Sequence, residues 1–439
     1  MTDVTRLGIG AAIAAMQAGQ LDPRDLLAAH HARIAAQDGD LHAFITIDPN
    51  PAPALPDGPL HGIPIAVKDV IDVAGLHTSA NAPLFAHRPI AQTDAPLVAR
   101  LRAAGAVMIG KANCWQMSVG GPTQASLIPP AINPYSTGPA LDPGGSSSGS
   151  AVAVAARLAM GAIGGDTGGS VRLPASLCGL VGLRPTSCSL PMTGVLPFAP
   201  SLDIAGPIAR SVADCAVLHA VLSGQALVPP PSPQTLTIGI PDAMIAHGNP
   251  SDAASQAFEA AIAALASAGV TIRRVATPSA ALYNDCYFLI ARAEAFACWR
   301  HALAARPDAM NPITRRSLAM GALIGAADLL HAHDLRRRYT GELIAALDGI
   351  DVLALPTTPD AAGALNAAEM VSRPDIAPYT RPFSLAGLPA ITLPSGAAKG
   401  LPLGLQLVAP AGADMRLLAI AAAIAPLLPP APELPSTWN

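Results

Sequence analysis

Over the first fifty positions apolar residues recur with a helical period, and two helices are predicted there. One follows Thr5. The other is capped by Asp22, with Pro23 in its first turn, where a missing N–H costs nothing. Leu27, Ala28, His31 and Ile34 share a stripe of the second helix and are its expected buried face. A proline-rich connector, NPAPALPDGP, closes this region. IPIAVKDVIDV then reads as a strand with a turn or a second strand, and DAPLVARLRAAGAVMIGKANC as a helix, a glycine stop and the buried strand AVMIG. Residues 120–145, rich in Pro, Gly, Asn and Thr, read as loop. Apolar residues dominate from Ser150 to Met160, as in a buried helix. Helix and strand alternate again toward TLTIGIP, residues 252–347 read mainly as helices, and DVLALPTTP and PAITLPS read as strands rejoining a sheet. This alternation predicts an α/β fold: a single large domain with a central mixed β-sheet flanked by helices on both faces. No clean linker interrupts the chain, so one unit over residues 1–439 is expected.

Composition narrows the class. Hydrophobic residues make up 51% of the 439 positions and charged residues 13%, a globular chain and not a disordered one. Mean hydropathy is +0.41. The oiliest windows, LAMGALIGAADLL and RLLAIAAAIAPLL, are nevertheless too short to span a bilayer, so no membrane partner is expected. The net charge of -4 offers no broad cationic face, and no nucleic-acid partner is expected either. The triplet Arg336, Arg337, Arg338 reads as a solvated helix face. Six scattered cysteines lack metal-ligand spacing and read as reduced thiols, which places the chain in the cytoplasm.

Three stretches depart from packing logic. In GGDTGGSVRLP, paired glycines precede Ser170 between two oily runs. Such glycines let backbone N–H groups converge on a bound oxyanion, or simply make a tight turn with Ser170 as a helix cap. In DPGGSSSGSAVAVA, a glycine–serine segment runs straight into an apolar helix that must dock, which argues against a flexible tether. It lacks the lysine of a phosphate loop, leaving Ser146, Ser147 and Ser148 as a candidate hydroxyl cluster. In GIPIAVKDV, Lys68 ends an apolar strand. It either snorkels to solvent, paired with Asp69, or is desolvated and basic enough to activate a serine.

Taken together, these stretches resemble the amidase signature family: GIPIAVKD its lysine strand, GGSSSGSAVAVAA its glycine–serine segment, GGDTGGSVRLPASLCGLVGLRPT its nucleophile loop. The spacings agree, with 78 residues from Lys68 to Ser146 and 24 from Ser146 to Ser170. SLDIAGPIARSVADC, DVLALPTTP, RPFSLAGLPAITLPSG and GLPLGLQLVAP also fit. The likeness is weakest between about residues 220 and 350, within a variable helical region near 250–347; the signature core lies at about 60–215. The resemblance implies Ser170 as nucleophile, Ser146 as bridging serine after a cis peptide, and Lys68 as base. It implies N–H groups of Thr167, Gly168, Gly169 and Ser170 as the oxyanion hole, and no metal or organic cofactor. Arg172 could grip a substrate carboxylate or lock the loop onto Asp166; family loops commonly keep an Arg here whatever the substrate.

The sequence departs from the family pattern in segments that tend to wall the pocket. Ser148 stands where Gly is usual, and Gln116 follows KANCW where an acid is usual. Trp115, Met117, Gly120, Tyr135 and Phe198 are candidate pocket walls. The expected activity is hydrolysis of an amide-type C–N bond (amide, anilide, carbamate or urea-like, with esters sharing the chemistry). The alternatives are the glutaminase subunit of a tRNA-dependent amidotransferase, against which the altered loop after Lys111 and the short C-terminus count, and a non-catalytic binding protein on the same scaffold. Expected partners are a small amide-type molecule and, at most, a second copy of the chain as a homodimer.

Overall fold

The computed structural model describes residues 3–52, 58–122, 125–365 and 375–438. The middle of the proline-rich connector, and two residues of the 120–145 loop, lie outside them. Eleven strands make one mixed sheet: β1 Phe44–Ile47, β2 Pro64–Lys68, β3 Val107–Ala112, β4 Gly161–Asp166, β5 Val181–Arg184, β6 Ile204–Ala209, β7 Thr237–Ile240, β8 Thr271–Arg274, β9 Val352–Pro356, β10 Ala390–Ala398 and β11 Leu401–Val408. Their order is β1-β3-β2-β4-β6-β5-β10-β11-β9-β7-β8. β2 runs parallel to β3 and β4, and β7 parallel to β8 and β9; the other pairings are antiparallel. The expected α/β class with a mixed sheet is what the chain adopts.

Sequence chemistry explains most elements. Asp22 caps helix Pro23–Leu41 through Arg24 N–H. Its buried face is Leu26, His30 and Ile34, while Ala28 is exposed, so the stripe is rotated by about one residue from the predicted one. The oily run after Ser147 forms helix Ser148–Ala155, buried at every position. The helix ends sooner than predicted, because Arg157 takes a left-handed conformation at φ 60°. Within residues 252–347, helices Asp252–Ser267, Ala280–Ala305, Pro312–Ala319 and Ala326–Ala345 are interrupted by β8, whose largely exposed residues gave no strand signal. The triplet after Leu335 is not uniformly solvated. Arg337 and Arg338 pair with Asp334 and Glu342, but Arg336 turns inward to the Leu385 carbonyl and Ser201.

The sheet also aims the chemistry. β2 and β4 are parallel neighbours with Val67 opposite Ile163, so their C-terminal ends, Lys68 and Asp166, emerge at one edge. The loop after Asp166 therefore begins beside Lys68.

Candidate active site

Lys68 is 1% exposed. Its ammonium donates to Ser146 Oγ at 2.7 Å. Burial pulls its pKa down to about 8, against the opposing influence of Cys114, Asp203 and Asp166. Asp69 is not its partner: that carboxylate faces Lys111 at 2.9 Å, both groups fully buried. The snorkelling reading of Lys68 is therefore excluded by its surroundings.

Ser146 follows a cis peptide bond after Gly145. A Cβ at Gly145 would lie 2.2 Å from the Trp115 ring, and one at Gly164 would lie 2.7 Å from Ser147 Oγ. These glycines are requirements of close approach. Gly145→Ala is expected to cost about 1–3 kcal/mol of stability by overpacking and to displace Ser146; a denaturation curve and an activity assay read the two effects.

Asp166 organises the loop that holds Ser170. Its carboxylate accepts from Gly169 N–H at 2.8 Å and Val171 N–H at 3.2 Å. Arg172 forks onto it at 3.0 and 3.1 Å, and Arg184 approaches at 3.2 Å. Burial alone would raise its pKa, but the two guanidiniums and these hydrogen bonds hold it well below the usual carboxylate range. Arg172 also reaches Gln406, Thr380 and Ser384, and is fully buried. Its geometry is that of a lock on Asp166, and it is not in the lining of the Ser170 cavity. On the other side of the loop, Thr380 Oγ1 donates to the Gly168 carbonyl at 2.6 Å, and Thr167 Oγ1 to Asp203 at 2.5 Å. Gly169 sits at φ 130°, where a Cβ would strike Thr380.

The implied oxyanion donors are thus not equivalent. The Gly169 N–H is already committed to Asp166 and turned from a substrate. Among the described residues the N–H groups of Thr167, Gly168 and Ser170 have no acceptor, so these can converge on developing negative charge.

Ser170 lines a cavity of about 130 Å³ with Gly145, Thr167 and Gly168. Trp115, Gly120 and Phe198 are in its wall as expected. Met117 instead packs into the core, and Tyr135 is buried elsewhere with its hydroxyl on the Pro432 carbonyl. Sequence reasoning missed Tyr287, Phe288 and Arg292 from helix Ala280–Ala305, and Arg381. The first three lie where the family pattern is faintest, and an aromatic pair beside an arginine in an alanine-rich helix was the available signal; Arg381 opens the quoted motif RPFSLAGLPAITLPSG. Asp203 was also missed, though it stood in a quoted motif. Burial pushes its carboxyl up to about 6, partly offset by hydrogen bonds from Thr167, Phe198 and Ala199. A larger cavity, about 520 Å³, opens near Ser251 and Lys399, but the Ser251 hydroxyl already caps a helix at Ala254 and bonds Asp360.

A buried lysine bonded to one serine, with a second serine lining the adjoining cavity under N–H groups that lack acceptors among the described residues, is an arrangement suited to serine-hydrolase chemistry. A family model described as Amidase matches residues 34–418, and the chain belongs to that family. It is an enzyme, an amidohydrolase. A Glutamyl-tRNA(Gln) amidotransferase subunit of Roseiflexus sp. (strain RS-1) is 36% identical over 475 residues, covering 96% of each chain. The crystal structure of the corresponding Glutamyl-tRNA(Gln) amidotransferase subunit from Thermotoga maritima superposes with a TM-score of 0.85 at 30% identity, covering 99% of both chains. Native peptide amidase from Stenotrophomonas maltophilia superposes at 0.82 with 28% identity, covering 98% of both.

These relatives correct one expectation. That the chain has no nucleic-acid dealings does not stand, because relatives matched nearly end to end are subunits of an enzyme named for glutamyl-tRNA. Net charge reports on direct contact with a phosphate backbone. It says nothing of an assembly whose other chains could carry the RNA. The short C-terminus likewise loses its force, since 96% of the Roseiflexus chain is covered. Among the described residues no helix is long and apolar enough to cross a membrane.

Proposed function

We propose that this chain hydrolyses a small carboxamide through an acyl-Ser170 intermediate, as the glutaminase subunit of a tRNA-dependent amidotransferase. The observation carrying the chemistry is the buried 2.7 Å bond from Lys68 to Ser146, next to the cavity that Ser170 lines. In this reading neutral Lys68 takes a proton from Ser146 as Ser146 takes one from Ser170, whose oxygen attacks the carboxamide carbon. The N–H groups of Thr167, Gly168 and Ser170 receive the oxyanion. The proton returns through Ser146 to the leaving nitrogen, and ammonia departs. Water then attacks the acyl group by the same relay, releasing acid and restoring Ser170.

The glutaminase assignment rests on the end-to-end similarity to proteins named as subunits of Glutamyl-tRNA(Gln) amidotransferase. The test is ammonia release from glutamine by the chain alone and assembled with the other subunits of such an enzyme. Release that rises on assembly is expected. Silence toward glutamine in the assembly, with turnover of other amides, would favour a free-standing amidase. The aromatic wall of Trp115, Phe198, Tyr287 and Phe288 is the observation behind that second reading.

Trp115 offers a further handle. Its buried indole N–H has no acceptor among the described residues and belongs to the cavity wall. A substrate oxygen is its natural partner, since an unsatisfied buried donor is costly. Trp115→Phe keeps the ring and removes the donor, and is expected to raise KM about tenfold in steady-state assays.

A further inference from the structure

We propose that the Ser170 cavity contains an anion subsite gripped by Arg292, so that the preferred substrates are amides whose acyl chain ends in a carboxylate. This rests only on the reading of Ser170 as the acylated residue, and extends it to the far end of the substrate.

Two guanidiniums line the cavity, and they are not in the same state. Arg381 is neutralised: it pairs with Asp375 through both terminal nitrogens. Arg292 faces no carboxylate among the described residues. Its guanidinium donates a long hydrogen bond, 3.4 Å, to the Ser317 carbonyl. The two cations flank one ring, with Arg381 Cζ 4.5 Å and Arg292 Cζ 6.0 Å from the centre of Phe288. Ring faces attract cations but do not discharge them.

A partly buried arginine next to another arginine costs free energy unless something anionic completes it. Burial lowers the Arg292 pKa from its ordinary value, as expected of a guanidinium held without a counter-ion. Guanidinium has the planar fork that matches a carboxylate. The cavity has room for a short acyl chain and little more, about 130 Å³. The ligand class is therefore the ω-amide of a short dicarboxylic acid, to which glutamine also belongs. Asp375 is occupied by Arg381, so the described lining offers no free carboxylate for an ammonium group. A plain dicarboxylate monoamide should then serve at least as well as its amino-acid counterpart.

Three amides of similar carbon skeleton separate the possibilities: glutaramate, glutamine and butyramide. Their turnover is measured on the chain alone and in the amidotransferase assembly, and their binding to Ser170→Ala by calorimetry. Glutaramate is expected to exceed butyramide by about 10²-fold in kcat/KM and to bind more tightly. Arg292→Leu should erase that preference, bringing the ratio of glutaramate to butyramide kcat/KM to near one, and Arg292→Lys should restore part of it. Equal use and equal binding of glutaramate and butyramide by the wild type would overturn the subsite, as would a preference that survives in Arg292→Leu. Failure on glutamine with success on glutaramate refutes the glutaminase assignment and leaves the subsite standing. Should Arg292→Leu not fold, the wild-type preference and the Arg292→Lys variant still decide.

Discussion

Replacing Ser170 by alanine is expected to lower amide turnover by about 10⁴-fold or more while leaving the fold intact. The activity loss follows from chemistry. Without the Ser170 oxygen there is no covalent intermediate, and water would have to attack from a site shaped for a side chain. The oxyanion donors would survive, so a small residual rate above that in water is compatible with the reading. The stability side follows from packing. Ser170 is partly exposed at the cavity, and its carbonyl, which accepts from Ser147 N–H at 3.2 Å, is untouched by the change. A change in unfolding free energy within about 0.5 kcal/mol is expected. Ammonia release and thermal unfolding measure the two quantities. A serine-directed phosphonate should label the wild type and spare the variant. Activity within tenfold of wild type would remove Ser170 from its role.

How far the site could be read from the chain depends on what kind of residue carries each part. Lys68, Ser146 and Ser170 were legible because each violates a local rule: a lysine ending an oily strand, hydroxyls leading into a buried helix, glycines where packing wants side chains. The structure gives those violations physical causes, namely the Trp115 ring against Gly145, Ser147 against Gly164, and Thr380 against Gly169. The role of Gly169 was harder. Four consecutive N–H groups look alike in sequence, and only the fold reveals that the Asp166 carboxylate has taken one of them. Pocket walls were least legible. Met117 and Tyr135 lie in the same stretch as Trp115, yet face the core and the Pro432 carbonyl. Arg292 and Arg381 are 89 residues apart, and their meeting across Phe288 is a tertiary event that no local pattern encodes. Strands β2, β3, β9 and β10 were recognisable as oily runs, whereas β4, β5, β6 and β11 were not read as strands from the pattern, nor were the partly exposed edge strands β1 and β8.

Lys68 makes the second large prediction, because its contribution to catalysis and its contribution to stability have opposite signs. As the base it must be neutral. With a pKa of about 8, kcat/KM should climb tenfold per pH unit below that value and level off above it. The groups that face it are Ser146, Cys114, Asp203 and Asp166. Burial pushes the Cys114 thiol up to about 12, so it stays uncharged across this range. Asp166 is held ionised by its two arginines, and Asp203 titrates near 6, so any inflection from Asp203 falls on the acid side of the lysine limb. Lys68→Met should delete the limb and cost about 10²–10⁴-fold in kcat/KM at its plateau. For stability the sign runs the other way. The folded-state pKa lies below the unfolded value of about 10.5, so between about 8 and 10.5 the unfolded chain binds more protons and stability rises with pH. Below pH 8 the lysine is charged in both states, and the full burial penalty, on the order of 3 kcal/mol, opposes folding. Methionine fills similar space without that penalty, at the loss of one hydrogen bond to Ser146, worth about 1 kcal/mol. Lys68→Met should therefore be inactive yet at least as stable as wild type at pH 7, with its stability advantage shrinking as pH rises toward 10.5. Thermal unfolding at pH 7 and pH 10 reads this directly. A variant that is both inactive and clearly less stable at pH 7 would mean that Lys68 holds the structure together, and that its closeness to Ser146 serves packing instead of proton transfer.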